Sequence, residues 1–200
     1  MNDAGSGTRP DDPYARAQYR RLIAWERRIG REGPWLEELL AGAPERSVLD
    51  LGCGTGEHTA FFAARGARAV GVDASPSMIE AARTYEGEGG PRFVLGDIRE
   101  VERLLAGGAP FGLALVLGHV LPHLTEDADL DRFLDAVRAC LLPGGLLLHQ
   151  LLNYARIRAR GERHLPLNVR EGEAGRWIVF LRLLECLDRD HILFLPTTLE

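Results

Sequence analysis

Three short apolar runs in this 200-residue chain each close on an aspartate, at Asp50, Asp73 and Asp97. The first run opens at once into Gly52, Gly54 and Gly56, and helix-forming residues follow. Glycines at such a turn let the backbone take left-handed angles and approach a ligand with no Cβ in the way. An acid roughly twenty residues past a glycine loop can accept both hydroxyl protons of a ribose, a role that Asp73 fits by position. Alone, Asp73 would read as an ordinary strand-end residue or helix cap. Three acids at three successive strand ends are harder to explain as unrelated solvated charges. Ligands of open α/β sheets bind outside those ends. The chemistry indicated is the binding of a nucleotide-like molecule.

The glycine spacing narrows the ligand. A dinucleotide fingerprint, G-x-G-x-x-G, rests a pyrophosphate on a helix N-terminus. Here the spacing is G-x-G-x-G directly after Asp50. A carboxylate beside the cradle repels a pyrophosphate and suits a cationic ligand. A dinucleotide-dependent oxidoreductase is therefore opposed by both features.

The elements that must hold these residues alternate along the chain. Strands are expected over 47–51, 69–72, 92–96, 111–117 and 145–152, with helices over 57–65, 76–85 and 127–141. Apolar runs of this length bounded by glycines read as buried parallel strands, and the alternation predicts a doubly wound, mainly parallel sheet with helices on both faces. Ser75-Pro76 is a good N-cap and first-turn pair. Leu130, Phe133, Leu134, Val137 and Leu141 lie on one face of the helix 127–141, which Leu142-Pro143-Gly144-Gly145 is expected to stop. Two helices, Pro13–Ile29 and Pro34–Leu40, precede the first strand as a lid. Residues 1–12 are polar and read as disordered.

The sequence VLDLGCGTGEHT with a second acid at the end of the next strand resembles motif I of the class I methyltransferases that use S-adenosyl-L-methionine (SAM). The phrase L-x-P-G-G-x-L before the fifth strand adds to the resemblance, which covers about residues 14 to 155. It implies a Rossmann-like fold and a SAM site holding Asp50, Gly52, Gly54, Gly56, Asp73 and the adjoining Ala74. It also implies that Asp97 accepts from the adenine amine while the Ile98 N–H bonds a ring nitrogen, with Leu117 after the fourth strand nearby. Met78 is a candidate for the adenine face, or equally a core methionine. In glycine N-methyltransferases an arginine spaced like Arg28 before Trp35 binds the SAM carboxylate; the plain alternative is a solvated helix arginine. Tyr19 would line the same lid.

Methyl transfer from a sulfonium is an in-line displacement, so alignment and exclusion of water supply much of the acceleration. An amine acceptor must also lose a proton, which a nearby base can take. The candidates follow the fourth and fifth strands. His119 is the better one, a departure from the asparagine expected there in many related enzymes; His123 reads as structural, packed near the sheet edge. Pro122 between the two histidines argues against a metal site. Asn153 and Tyr154 resemble a segment that helps bind the small amino-acid acceptor in glycine and sarcosine N-methyltransferases, and loop capping explains Asn153 equally well.

Composition bounds the partners. A net charge of −5 with no basic block offers no electrostatic footprint for nucleic acid. No apolar run approaches the ~20 residues that span a bilayer. Cys53, Cys140 and Cys186 are isolated and suggest neither disulfides nor zinc, so the cytoplasm is the expected compartment.

Two apolar strand-like runs, 176–187 and 191–199, predict an antiparallel hairpin, and residues 156–200 read as an acceptor-site cover beyond a core of 13–155. In the resembled family a further helix and two strands complete the sheet, whereas this sequence stops at Glu200. Strand five would be left as an apolar edge. A fragment, a substituting hairpin and a homo-oligomer are the three explanations. The leading function is methylation of a small molecule, an amine by preference; the alternative is a SAM-binding regulatory or partner subunit without turnover.

Overall fold

The computed structural model describes residues 19–171 and 175–199. The order of elements is α1 (Tyr19–Leu22), α2 (Trp25–Gly42), β1 (Ser47–Leu51), α3 (Glu57–Ala63), β2 (Arg68–Asp73), α4 (Pro76–Ala82), β3 (Arg92–Leu95), α5 (Val101–Leu104), β4 (Phe111–Val116), α6 (Asp127–Cys140), β5 (Leu141–His149), α7 (Tyr154–Arg160), β6 (Asn168–Glu171), β7 (Trp177–Cys186) and β8 (Ile192–Leu199). Strands β1 to β5 form one parallel sheet in the order β3-β2-β1-β4-β5. The order reverses between β1 and β4, and such a switch point opens a crevice at the carboxyl ends.

Alternating side chains fill both faces of the sheet. Leu49, Leu51, Val70, Val72, Ala114 and Val116 pack with α5 and α6 through Val101, Phe133 and Val137. Val48, Ala69, Leu113 and Leu115 pack with α2 and α3 through Leu36, Leu40, Phe61 and Phe62. Every residue of β1 and β4 is buried, as expected of central parallel strands covered on both sides. Ser75 caps α4 by accepting from the Met78 N–H at 3.2 Å, with Pro76 at the first turn.

The lid differs from the two-helix expectation. The break falls at Ile23–Ala24, and α2 runs on unbroken through Pro34; residues 13–18 of the expected first helix, like 1–12, lie outside the described residues. A proline inside a helix removes one hydrogen bond and crowds the carbonyl four residues back. Here that residue is Gly30, whose Cβ position has no atom of another element within 4 Å. Burial of Leu36 and Leu40 at 1% exposure offsets the cost. Gly33 lets α2 lie against Phe61, whose Cε2 would stand 2.9 Å from an added Cβ.

Strand five also starts earlier than expected, at Leu141 rather than 145, and ends at His149. The Pro-Gly-Gly phrase does not stop α6, which ends at Cys140; it forms a bulge inside β5, where pairing jumps from Phe111↔Leu141 to Leu113↔Leu146. Among the described residues β5 pairs with β4 alone, and Leu147 on it is exposed. The expected hairpin is present as β7 and β8, joined by Asp188, whose carboxylate accepts from the Asp190 and His191 N–H groups. A third strand, β6, which the sequence reading lacked, pairs antiparallel with β7. The short helices α5 and α7 were also not foreseen. No helix among the described residues is long and apolar enough to cross a membrane.

Candidate functional site

The carboxyl ends of β1, β2 and β3 carry Asp50, Asp73 and Asp97. Asp50 is 2% exposed, and its Oδ2 accepts from Thr59 Oγ1 on α3 at 2.7 Å. Burial raises its carboxyl above the usual range, opposed by the field of His58 and the Thr59 hydroxyl. Asp73 is half-buried, and its two oxygens accept from the Gly54 N–H at 2.8 Å and the Ser75 N–H at 2.9 Å. One carboxylate thus ties the glycine loop to the start of α4.

The glycines divide by role. Gly52 and Gly56 have φ of +74° and +87°; an added Cβ on the first would overlap Val120, and on the second would stand 2.7 Å from the Phe93 ring. Gly54, with φ +54°, has nothing within 4 Å of its Cβ position. Two glycines are demanded by packing, and the middle one faces open space, which is what a ligand cradle needs. Cys53, between them, is held up as a thiol by burial and by the neighbouring Asp50 and Asp73.

Asp97 follows β3 and caps the next turn through the Arg99 N–H. The Arg99 guanidinium grips the same carboxylate and also bonds Asp129 on α6. That hydrogen bonding holds Asp97 below the ordinary carboxylate range. Ile98 and Met78 are buried, Ala74 is exposed and Leu117 is half-buried.

The lid meets the loops after β4 and β5 in a second polar cluster. Arg28 donates to Glu32 at 3.1 Å and to Gln150 Oε1 at 3.3 Å, and it lies over the Trp25 ring. Gln150 Oε1 also accepts from the Gly118 N–H at 3.2 Å. Glu32 further bonds His58 Nε2 at 3.1 Å. Burial alone would raise Glu32, but the His58 hydrogen bond and the Arg28 charge bring it down to about 2.

His119 stands beside this cluster with φ +73°, the one non-glycine residue with positive φ among those described. A bulky side chain held there costs on the order of 1–3 kcal/mol. Its Nδ1 is buried and has no hydrogen-bond partner among the described residues. Burial, with the fields of Arg182, Arg28 and His123, lowers its pKa. These effects favour the neutral imidazole.

The other acceptor-side expectations divide. His123 is exposed on the 3-10 turn Leu121–His123, not packed at a sheet edge, because Pro122 starts a separate turn that carries it outward. Asn153 caps α7 by accepting from the Arg156 N–H at 2.9 Å. Tyr154 packs against the cluster of Ile157, Leu165 and Leu184, and burial raises its phenol. The Tyr19 side chain lies outside the described residues.

Sequence reasoning did not single out Arg20, Glu32, Gln150 or Arg182. Arg20 spans α1 and the glycine loop: it bonds Glu57 at 2.8 Å, the Thr55 carbonyl at 2.7 Å and the Ala81 carbonyl at 2.9 Å. No spacing in the sequence joins an arginine on the lid to carbonyls so far along the chain. The only available signal was the buried-looking Glu57 at the start of α3, which calls for a cation.

A protein-family profile described as "Methyltransferase domain" matches residues 48–145. A glycine/sarcosine N-methyltransferase of Parasynechococcus marenigrum is 32% identical over 141 residues, covering 68% of this chain and 49% of that protein. A ubiquinone biosynthesis O-methyltransferase of a Methylobacterium species is 33% identical over 129 residues, 64% of this chain and 47% of that protein. The chain spans about half the length of the curated relatives it matches. Among solved structures, SAM-bound CalS10, an amino pentose methyltransferase from Micromonospora echinaspora, superposes with a TM-score of 0.67 over 96% of this chain and 82% of that one, at 22% identity.

Proposed function

We propose that this chain, which belongs to the class I SAM-dependent methyltransferases, binds SAM across the carboxyl ends of β1–β3 and methylates an amine on a small acceptor. The observation that carries this reading is the Asp73–Gly54 bond beside open space, with Asp50 buried next to it. When bound, SAM supplies an electrophilic methyl on a positively charged sulfur, which leaves as a neutral thioether. Asp73 would take the ribose hydroxyls, and Asp97 with the Ile98 N–H the adenine, between Met78 and Leu117. Arg28 would hold the ligand carboxylate, with Trp25 and Tyr19 closing the lid.

His119 Nδ1 is then the base. On methylation of a bound amine, this nitrogen, which has no partner among the described residues, would take the amine proton. A lowered pKa favours the unprotonated form that general-base catalysis requires. Residues 156–200 cover the acceptor, with Asn153 and Tyr154 at its mouth. The name of one relative, a glycine/sarcosine N-methyltransferase, favours an amine, while an O-methyltransferase stands among the relatives.

The test is formation of S-adenosylhomocysteine from SAM with matched panels of small amines and phenols. Turnover confined to amines is the expected result. Turnover confined to phenols would remove the amine assignment, and none with either panel would favour a binding subunit.

A further inference from the structure

The C-terminal sheet has one covered face and one bare face. In β6, β7 and β8 the even-numbered side chains turn inward: Phe180 and Leu184 are buried, and Leu184, Ile192 and Phe194 pack with α7. The odd-numbered side chains form the other face. Val169, Trp177, Leu183, Leu193, Leu195 and Leu199 on it are between 39% and 61% exposed. Val179 and Leu181 fill the middle of β7. Cross-strand pairing sets these residues side by side, with Val169 against Val179, Leu183 against Leu195, and Val179 against Leu199.

This face is contiguous rather than a scatter of single exposed leucines. Given side chains of these sizes, the exposed apolar area is on the order of 600 Å². That is close to the ~800 Å² that each partner contributes to a standard stable interface, before any rim is counted. Charged groups are confined to its ends. Glu171 on β6 stands beside Trp177 at one end, and Glu185 on β7 stands beside Leu193 at the other.

We infer that the outer face of β6–β7–β8 pairs with the same face of a second copy of this chain. A sheet face that is apolar between its ends can pack against a second copy of itself, and two sheets stack face to face at about 10 Å with strands within about 30° of each other. A two-fold axis makes the contact isologous. With the axis through Leu181, Leu183 of each copy meets Val179 of the other, and Glu185 meets Trp177 at the ends of the contact. The inner side of the same strand carries Arg182, whose field reaches His119. The dimer therefore backs the sheet that faces the acceptor side.

The test is the solution mass of the full chain by sedimentation equilibrium at micromolar concentration. The expected mass is twice 22.1 kDa. Leu181→Glu and Leu181→Lys should each give monomers, with dissociation constants raised roughly a hundredfold or more by the buried like charges. An equimolar mixture of the two should restore the dimer. Leu147→Lys, on the β5 edge, should leave it intact. Thermal unfolding by circular dichroism identifies any variant that fails to fold, and the mixture can recover only from folded partners. A monomeric wild type overturns the inference, which would mean that another segment or protein covers the face. So does a dimer that survives both Leu181 variants, a folded mixture that stays monomeric, or a dimer lost on Leu147→Lys.

Discussion

The two halves of the cleft are built differently. On the side of β1–β3, the strand-end carboxylates are locked by short local bonds: Asp73 to Gly54 and Ser75, Asp50 to Thr59, Asp97 to Arg99. On the side of β4 and β5, the groups come from distant parts of the chain, Arg28 from the lid, His119 and Gln150 from two loops, Arg182 from the C-terminal sheet. There a strained backbone and an unpaired nitrogen remain at His119. The first half is preorganised by folding alone, and the second keeps polar capacity that folding does not use. Such a division suits a site where one ligand is constant and the other varies.

The largest effect should come from breaking the locked half. Gly56→Ala places a Cβ against Phe93 and Ala82 in a backbone region that alanine avoids, which should cost about 2–5 kcal/mol of stability, measured by urea unfolding. A loss under 1 kcal/mol would mean that the loop is far softer than its packing indicates. His119→Asn should lower turnover by about 10²-fold or more while leaving cofactor affinity unchanged and stability equal or slightly raised, since asparagine tolerates positive φ. Loss of cofactor binding instead would move His119 to the SAM side. Asp73→Ala should weaken SAM by about 1–3 kcal/mol with the fold retained, and calorimetry showing unchanged affinity would take Asp73 out of the site.

The smaller tests concern pH. Glu32 has a folded-state pKa depressed from 4.5 to about 2, so its contribution is present above pH 4.5 and is lost as pH falls toward 2. Because Glu32 is only partly buried, Glu32→Gln should cost about 1–2 kcal/mol at pH 7 after screening. The wild-type and variant unfolding curves should converge in acid. A difference that persists below pH 2 would assign the effect to packing. With His119 as the proposed base, its lowered pKa should set the acid limb of the rate profile below that of an ordinary histidine, and His119→Asn should abolish that limb.

The same contrast explains what could be read before the fold was known. Asp50, Gly52, Gly54, Gly56 and Asp73 lie within two adjacent strand–loop–helix units, where local spacing determines spatial contact. The parallel sheet follows from the same local pattern. The continuous helix through Pro34 was not legible, because its support is the approach of Phe61 to Gly33 across the core. The bulge in β5 was read as a helix stop because proline and glycine mark both. Gln150 and Arg182 carry no local signature at all; they matter through neighbours that only tertiary packing brings near.

The most direct test of the central claim is a calorimetric titration of the folded chain with S-adenosylhomocysteine, alongside NADH. Saturable binding of S-adenosylhomocysteine alone, weakened in Asp73→Ala, is the result expected of a SAM cradle at the ends of β1–β3. Binding of NADH in its place, or of neither ligand, would contradict it.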